Sequence, residues 1–70
     1  MTRLNVSSRG SDQLLESSYQ THFQAQMALD QIIQDHARAR RLVVMRIANG
    51  RVRWEVHDEA GEVCNCWLSV

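Results

Sequence analysis

Apolar positions recur at three- and four-residue steps through the first half of the chain and at every second residue through its last third. Leu15, Tyr19, Leu29, Ile33 and Ala37, with His22 and Gln26 between them, fall on one stripe of a helix. Phe23 and Met27 widen the stripe on one side, and Leu14 and Ile32 widen it on the other. Residues 11–41 hold neither glycine nor proline and are rich in Gln, Ala, Leu, Met and Arg, which predicts one long N-terminal helix capped by Ser11 or Asp12.

That helix is long for its chain. Over residues 12–40 it would measure about 43 Å, whereas a compact globule of this size is about 28 Å across. Either the helix breaks near residues 17–20, or its overhang packs on a second subunit. Ser17-Ser18 is weak helix, and Thr21-His22-Phe23-Gln24 has the form of a capping box for a fresh start. An unbroken helix in a homodimer is the expectation, with a broken helix in a monomer as the alternative.

The C-terminal pattern predicts a three-stranded antiparallel meander. Ala48-Asn49-Gly50-Arg51 carries the Asn-Gly pair of a two-residue type I′ hairpin. It sets Ile47 against Val52, Met45 against Trp54, and Val43 against Val56. A three-residue loop with Gly61 left-handed would set Val56 against Cys64, Trp54 against Cys66 and Val52 against Leu68. A two-residue loop would instead set Val56 against Asn65. The first register keeps one face apolar, and register follows the buried face. The fold class expected is therefore α+β, a long helix laid over a three-stranded meander. Residues 1–10 are expected as a flexible arm, with Leu4 and Val6 able to add an edge strand at most, and residues 11–70 as a single domain.

The opposite face of the meander holds the candidate site. Leu42, Val44, Arg46, Arg51, Arg53, Glu55, His57, Val63, Asn65 and Trp67 alternate onto it. Arg46 falls opposite Arg53, a destabilising like-charge pair, and Arg53 falls opposite Trp67, where a guanidinium can lie over the indole. Tryptophan and arginine are enriched at binding hot spots. Trp67, Arg53, Arg46, Arg51, Val44, Leu42 and Val63 are thus the expected partner-binding residues.

Charge and cysteine content narrow the field. The formal net charge is zero and all eight basic residues are arginine. No global field draws the chain to nucleic acid or anionic membrane. Arg38, Arg40 and Arg41 suit a helix C-terminus, and Asp58, Glu59 and Glu62 lie near enough to balance them. Cys64 and Cys66 share the apolar face and are expected as buried free thiols. A metal site would need further ligands, with His57 on the wrong face and His36 having to arrive from the helix. No phosphate loop, HExxH or GxSxG occurs, so no catalysis, cofactor or metal is expected. The first residues do not resemble a signal peptide and no stretch approaches the ~20 apolar residues of a membrane span. Two unbridged cysteines fit a reducing compartment, so the cytoplasm is expected.

The functional expectation is a small protein-binding regulator that occludes a surface of a larger protein. Its scale is that of phage or mobile-element inhibitors of a host protein such as a transcription regulator. An arginine-based nucleic-acid module and a structural subunit of an assembly are the alternatives.

Overall fold

A computed structural model of the chain describes residues 1–11 and 13–70. Among them the order of elements is β1 (Thr2–Ser8), β2 (Leu14–Tyr19), α1 (His22–Arg38), β3 (Leu42–Ala48), β4 (Arg51–Asp58) and β5 (Gly61–Ser69). The strands form one antiparallel five-stranded sheet in the order β2-β1-β5-β4-β3. Helix α1 leaves the β2 edge, crosses one face of the sheet, and delivers the chain to the β3 edge.

This corrects the expected fold class. The helix is 17 residues long, not thirty, and the sheet has five strands, not three. The helix begins where the capping box allows: Thr21 Oγ1 accepts a hydrogen bond from the Gln24 amide at 3.1 Å. It ends in a Schellman-type turn. Arg40 takes φ 60°, and the amides of Arg40 and Arg41 donate to the carbonyls of Ala37 and His36 at 3.0 and 3.1 Å. The proposed cap at Asp12 lies outside the described residues; Ser11 instead accepts from the Gln13 amide at 3.2 Å.

Residues 14–19 are strand because a partner strand is available. Leu15 and Tyr19 stand four apart, which fits a helical step, but Leu15, Ser17 and Tyr19 equally fit strand alternation. Ser17 and Ser18 add little helix propensity, while pairing with β1 satisfies the backbone groups that face it. The size conflict disappears with it. A 17-residue helix is about 26 Å long, and the molecule extends 35 × 25 × 23 Å.

The expected N-terminal arm is likewise a strand, and an interior one. β1 pairs with β2 on one side and β5 on the other, with Leu4 opposite both Ser17 and Leu68. Thr2, Leu4 and Val6 alternate with Arg3, Asn5 and Ser7, so one side of the strand can enter the core.

The core lies between α1 and the strands. Leu29 meets Leu4, Val56, Cys64 and Cys66 in a buried cluster, flanked by Val6, Ile32, Ile33, Val43, Trp54 and Leu68. The first hairpin register in the meander matches expectation, and the second matches it at Val56–Cys64 and Trp54–Cys66 but not at the expected pair Val52–Leu68, which is not part of the ladder. Ile47, Met45 and Val43 oppose Val52, Trp54 and Val56, and Asn49 and Gly50 both take positive φ (54° and 74°), as type I′ requires. Val56 opposes Cys64 and Trp54 opposes Cys66. The second turn differs in detail: Gly61 pairs with Asp58, and the additional residue enters as a bulge opposite Val56 and His57.

The shorter helix leaves part of its own face open. Met45, Ile47 and Val52, all expected beneath it, remain 50%, 66% and 43% exposed.

Candidate functional site on the helix-free face

Strand alternation places the candidate residues other than Val63 together on the face that α1 does not cover. Arg53 lies with its guanidinium carbon 4.9 Å from the centroid of the Trp67 ring, a contact worth about 0.5–1 kcal/mol at an exposed site. Arg46 is opposite Arg53 in the ladder. The like-charge pair is resolved because each guanidinium turns elsewhere: Arg53 to Trp67, and Arg46 to the carboxylate of Glu55. Glu55 also faces His57, whose Nε2 lies 3.6 Å from Oε1. Asn65 donates to Glu62 beside it.

These side chains rim a shallow, solvent-open concavity of about 700 Å³, lined by Arg46, Arg51, Arg53, Glu55, Glu62 and Asn65 with the Ala48-Asn49 turn. Trp67 stands beyond its rim, beside a second depression lined by Arg51, Arg53 and Ser69. Leu42 and Val44 sit on the β3 edge of the same face. Val63 does not belong with them. It falls within the bulge between the pairs His57–Glu62 and Val56–Cys64, and it packs against the core cluster.

Sequence reasoning missed Asn5. It lies opposite Trp67 in the β1–β5 ladder and is only 3% exposed. Its Nδ2 donates to the Trp67 carbonyl at 3.3 Å and to Ser69 Oγ at 2.9 Å, tying β1 to the strand that carries the tryptophan. The signal was the alternation of Asn5 with Leu4 and Val6, invisible once residues 1–10 are taken as an arm.

A second cluster sits under the C-terminal end of α1. His36 does arrive from the helix: its Nε2 lies 3.7 Å from the Cys64 sulfur, and Arg41 lies 3.1 Å from its Nδ1. A guanidinium can only donate, so Nδ1 accepts and Nε2 donates toward the thiol. Arg41 is thereby drawn to His36, while Asp58 is met by Arg9 at 3.7 Å. Among the described residues no group of three or more ligand-type side chains is placed to hold a metal ion.

Both cysteines are free and buried. Burial raises the Cys64 thiol, and burial followed by the neighbouring Cys64 pushes the Cys66 thiol up from 9.0 to about 12. The linkage has a definite sign. The unfolded chain ionises this thiol near 9.0 and the folded chain withholds it to about 12, so its stabilising contribution is complete below pH 9 and is lost toward pH 12. The urea midpoint should fall steadily above pH 9, and a Cys66→Ala variant, less stable at neutral pH, should show a shallower fall. An equal fall in both proteins would assign the alkaline loss to other groups.

Fold and site together define a class: among the described residues, an α+β sheet protein with one helix over part of one face and the other face open and centred on a Trp–Arg stack. The chain matches no protein-family profile, no curated protein and no solved structure. Among the described residues no helix is long and apolar enough to cross a membrane.

Proposed function

We propose that this chain is a small, non-enzymatic protein-binding regulator that occludes a surface of a larger protein with its helix-free face. The observation that carries the reading is the Arg53–Trp67 stack on a face that no element among the described residues covers. A tryptophan held by its strand and by a guanidinium is a rigid anchor, and such anchors dominate binding energies. Arg51 and Arg53 flank it, and the concavity beside it supplies polar partners. Val63 drops out of the expected set because it packs on the core.

Charge favours a protein partner over nucleic acid. Arg46 is engaged by Glu55 and Arg53 by Trp67, so these cations are partly spent within the chain, whereas phosphate binding draws on free ones. The same engagement argues against acid–base work: the concavity is open to solvent and Glu55 is shared by Arg46 and His57. We place the protein in the cytoplasm on the strength of its two free thiols.

The test is affinity capture from a cell lysate with wild type and Trp67→Ala, at low and high salt, with nuclease present. A protein retained through nuclease and high salt by wild type, and lost with Trp67→Ala, supports the proposal. Retention that disappears with nuclease moves the face to nucleic acid and sinks it.

A further inference from the structure

Strand β3 is an edge without the usual protections. It runs seven residues, Leu42 to Ala48, in unbroken register with β4, with no proline, glycine or bulge along it. Natural edge strands are blunted by such devices or by charges, because a bare row of backbone donors and acceptors recruits another strand. β3 carries one charge, Arg46, and its own chain's Glu55 engages it. Leu42, Met45 and Ile47 are 64%, 50% and 66% exposed. The other edge, β2, carries Glu16, Ser17 and Ser18 in its centre.

The backbone specifies which groups are free. In a two-residue hairpin the closing pair, here Ala48 and Arg51, exchanges both hydrogen bonds. Alternation then directs the N–H and C=O groups of Ala48, Arg46, Val44 and Leu42 into β4. Those of Ile47, Met45 and Val43 point off the edge.

We propose that β3 pairs antiparallel with β3 of a second copy of this chain, about a two-fold axis at Met45, so that one sheet runs through both copies. In that register Met45 opposes Met45, and Val43 opposes Ile47 in both directions, so every outward group of the strand finds a partner. The exposed Met45 and Ile47 become interior to a joint apolar row on the helix side. On the other face Arg46 of one copy lies opposite Val44 of the other, whose neighbour on β4 is Glu55. The basic row Arg46–Arg53 thus continues into an acidic side chain.

Neighbouring registers fail. An axis at Arg46 sets two guanidiniums face to face. An axis at Val44 sets Ile47 against Arg41, whose amide already donates to the His36 carbonyl at 3.1 Å. A second copy also answers a need of the chain itself: domains this small are marginal, and this one has free cysteines and no disulfide. The seam stands whether or not the Trp67 face binds another protein.

Sedimentation equilibrium reads the first consequence: wild type should have twice the mass of the chain. A Met45→Glu variant, which opposes two carboxylates at the axis, should sediment as a folded monomer. Cysteine pairing tests the register independently of that variant's folding. Under mild oxidation an equimolar mixture of Val44→Cys and Arg46→Cys chains should crosslink, because these positions face each other across the seam, and neither variant should crosslink alone. A wild type that stays monomeric at every concentration overturns the proposal. So does a dimer indifferent to Met45→Glu, or one in which either cysteine variant crosslinks by itself as readily as the mixture.

Discussion

Replacing Leu29 by alanine is expected to bring the protein close to unfolding at room temperature. Leu29 is 2% exposed and is the helix residue at the centre of the cluster formed with Leu4, Val56, Cys64 and Cys66. Truncating a buried leucine costs about 2–5 kcal/mol, the transfer of the lost atoms plus the cavity left behind. A chain of this length holds about 4–10 kcal/mol in total. The neighbours cannot close the gap cheaply, because they stand on three different strands, β1, β4 and β5, whose backbones are tied by strand pairing. The helix is joined to the sheet by side-chain packing, so losing its central contact loosens the whole layer. Thermal unfolding followed by circular dichroism should show a midpoint lowered by about 10–25 °C. A drop of only a few degrees would mean that Leu29 is not the contact that docks α1.

Trp54→Ala should cost about 3 kcal/mol, while Trp67→Ala should leave the midpoint within a few degrees of wild type. The residues differ in face, not in type. Trp54 pairs with Met45 and Cys66 on the helix side and packs against the core. Trp67 lies on the helix-free side, stacked under Arg53. It is half-buried, so its removal forfeits a cation–π contact and some sheet-surface burial, about 1 kcal/mol. Paired melting curves of the two variants check the assignment of faces directly. If Trp67→Ala melts as low as Trp54→Ala, the helix-free face is a structural one and the docking proposal loses its anchor.

These expectations place the two candidate contact surfaces on different parts of the sheet. The Trp67 stack lies on the helix-free side of β5 and β4, toward the middle of the sheet, and the self-pairing seam runs along β3 at its edge. A dimer formed through β3 would present two copies of the Trp67 face on one side of a continuous sheet. That arrangement suits a symmetric partner, or one with two equivalent sites.

The C-terminal half was legible in the sequence because its structure is local. Asn49-Gly50 dictates a turn through the positive φ that both positions take, and the alternation Val43, Met45, Ile47 and Val52, Trp54, Val56 then leaves one register with an apolar face. The Arg53–Trp67 stack and the buried pair Cys64 and Cys66 follow from that register, since pairing places residues by arithmetic. The cap at Thr21 was legible for the same reason: a hydroxyl three residues before an amide is a short-range relation.

Only the tertiary structure decided the N-terminal half. Leu14–Tyr19 carries a pattern compatible with both helix and strand, and what resolves it is β1, which itself becomes a strand only between β2 and β5. β5 lies some sixty residues away along the chain, as the pair Leu4–Leu68 shows. Strand pairing at that separation has no local signature, because the stabilising hydrogen bonds belong to neither segment alone. Asn5 could be recognised as a buried, satisfied polar group, and Val63 as a core residue displaced by a bulge, only once those distant strands were joined.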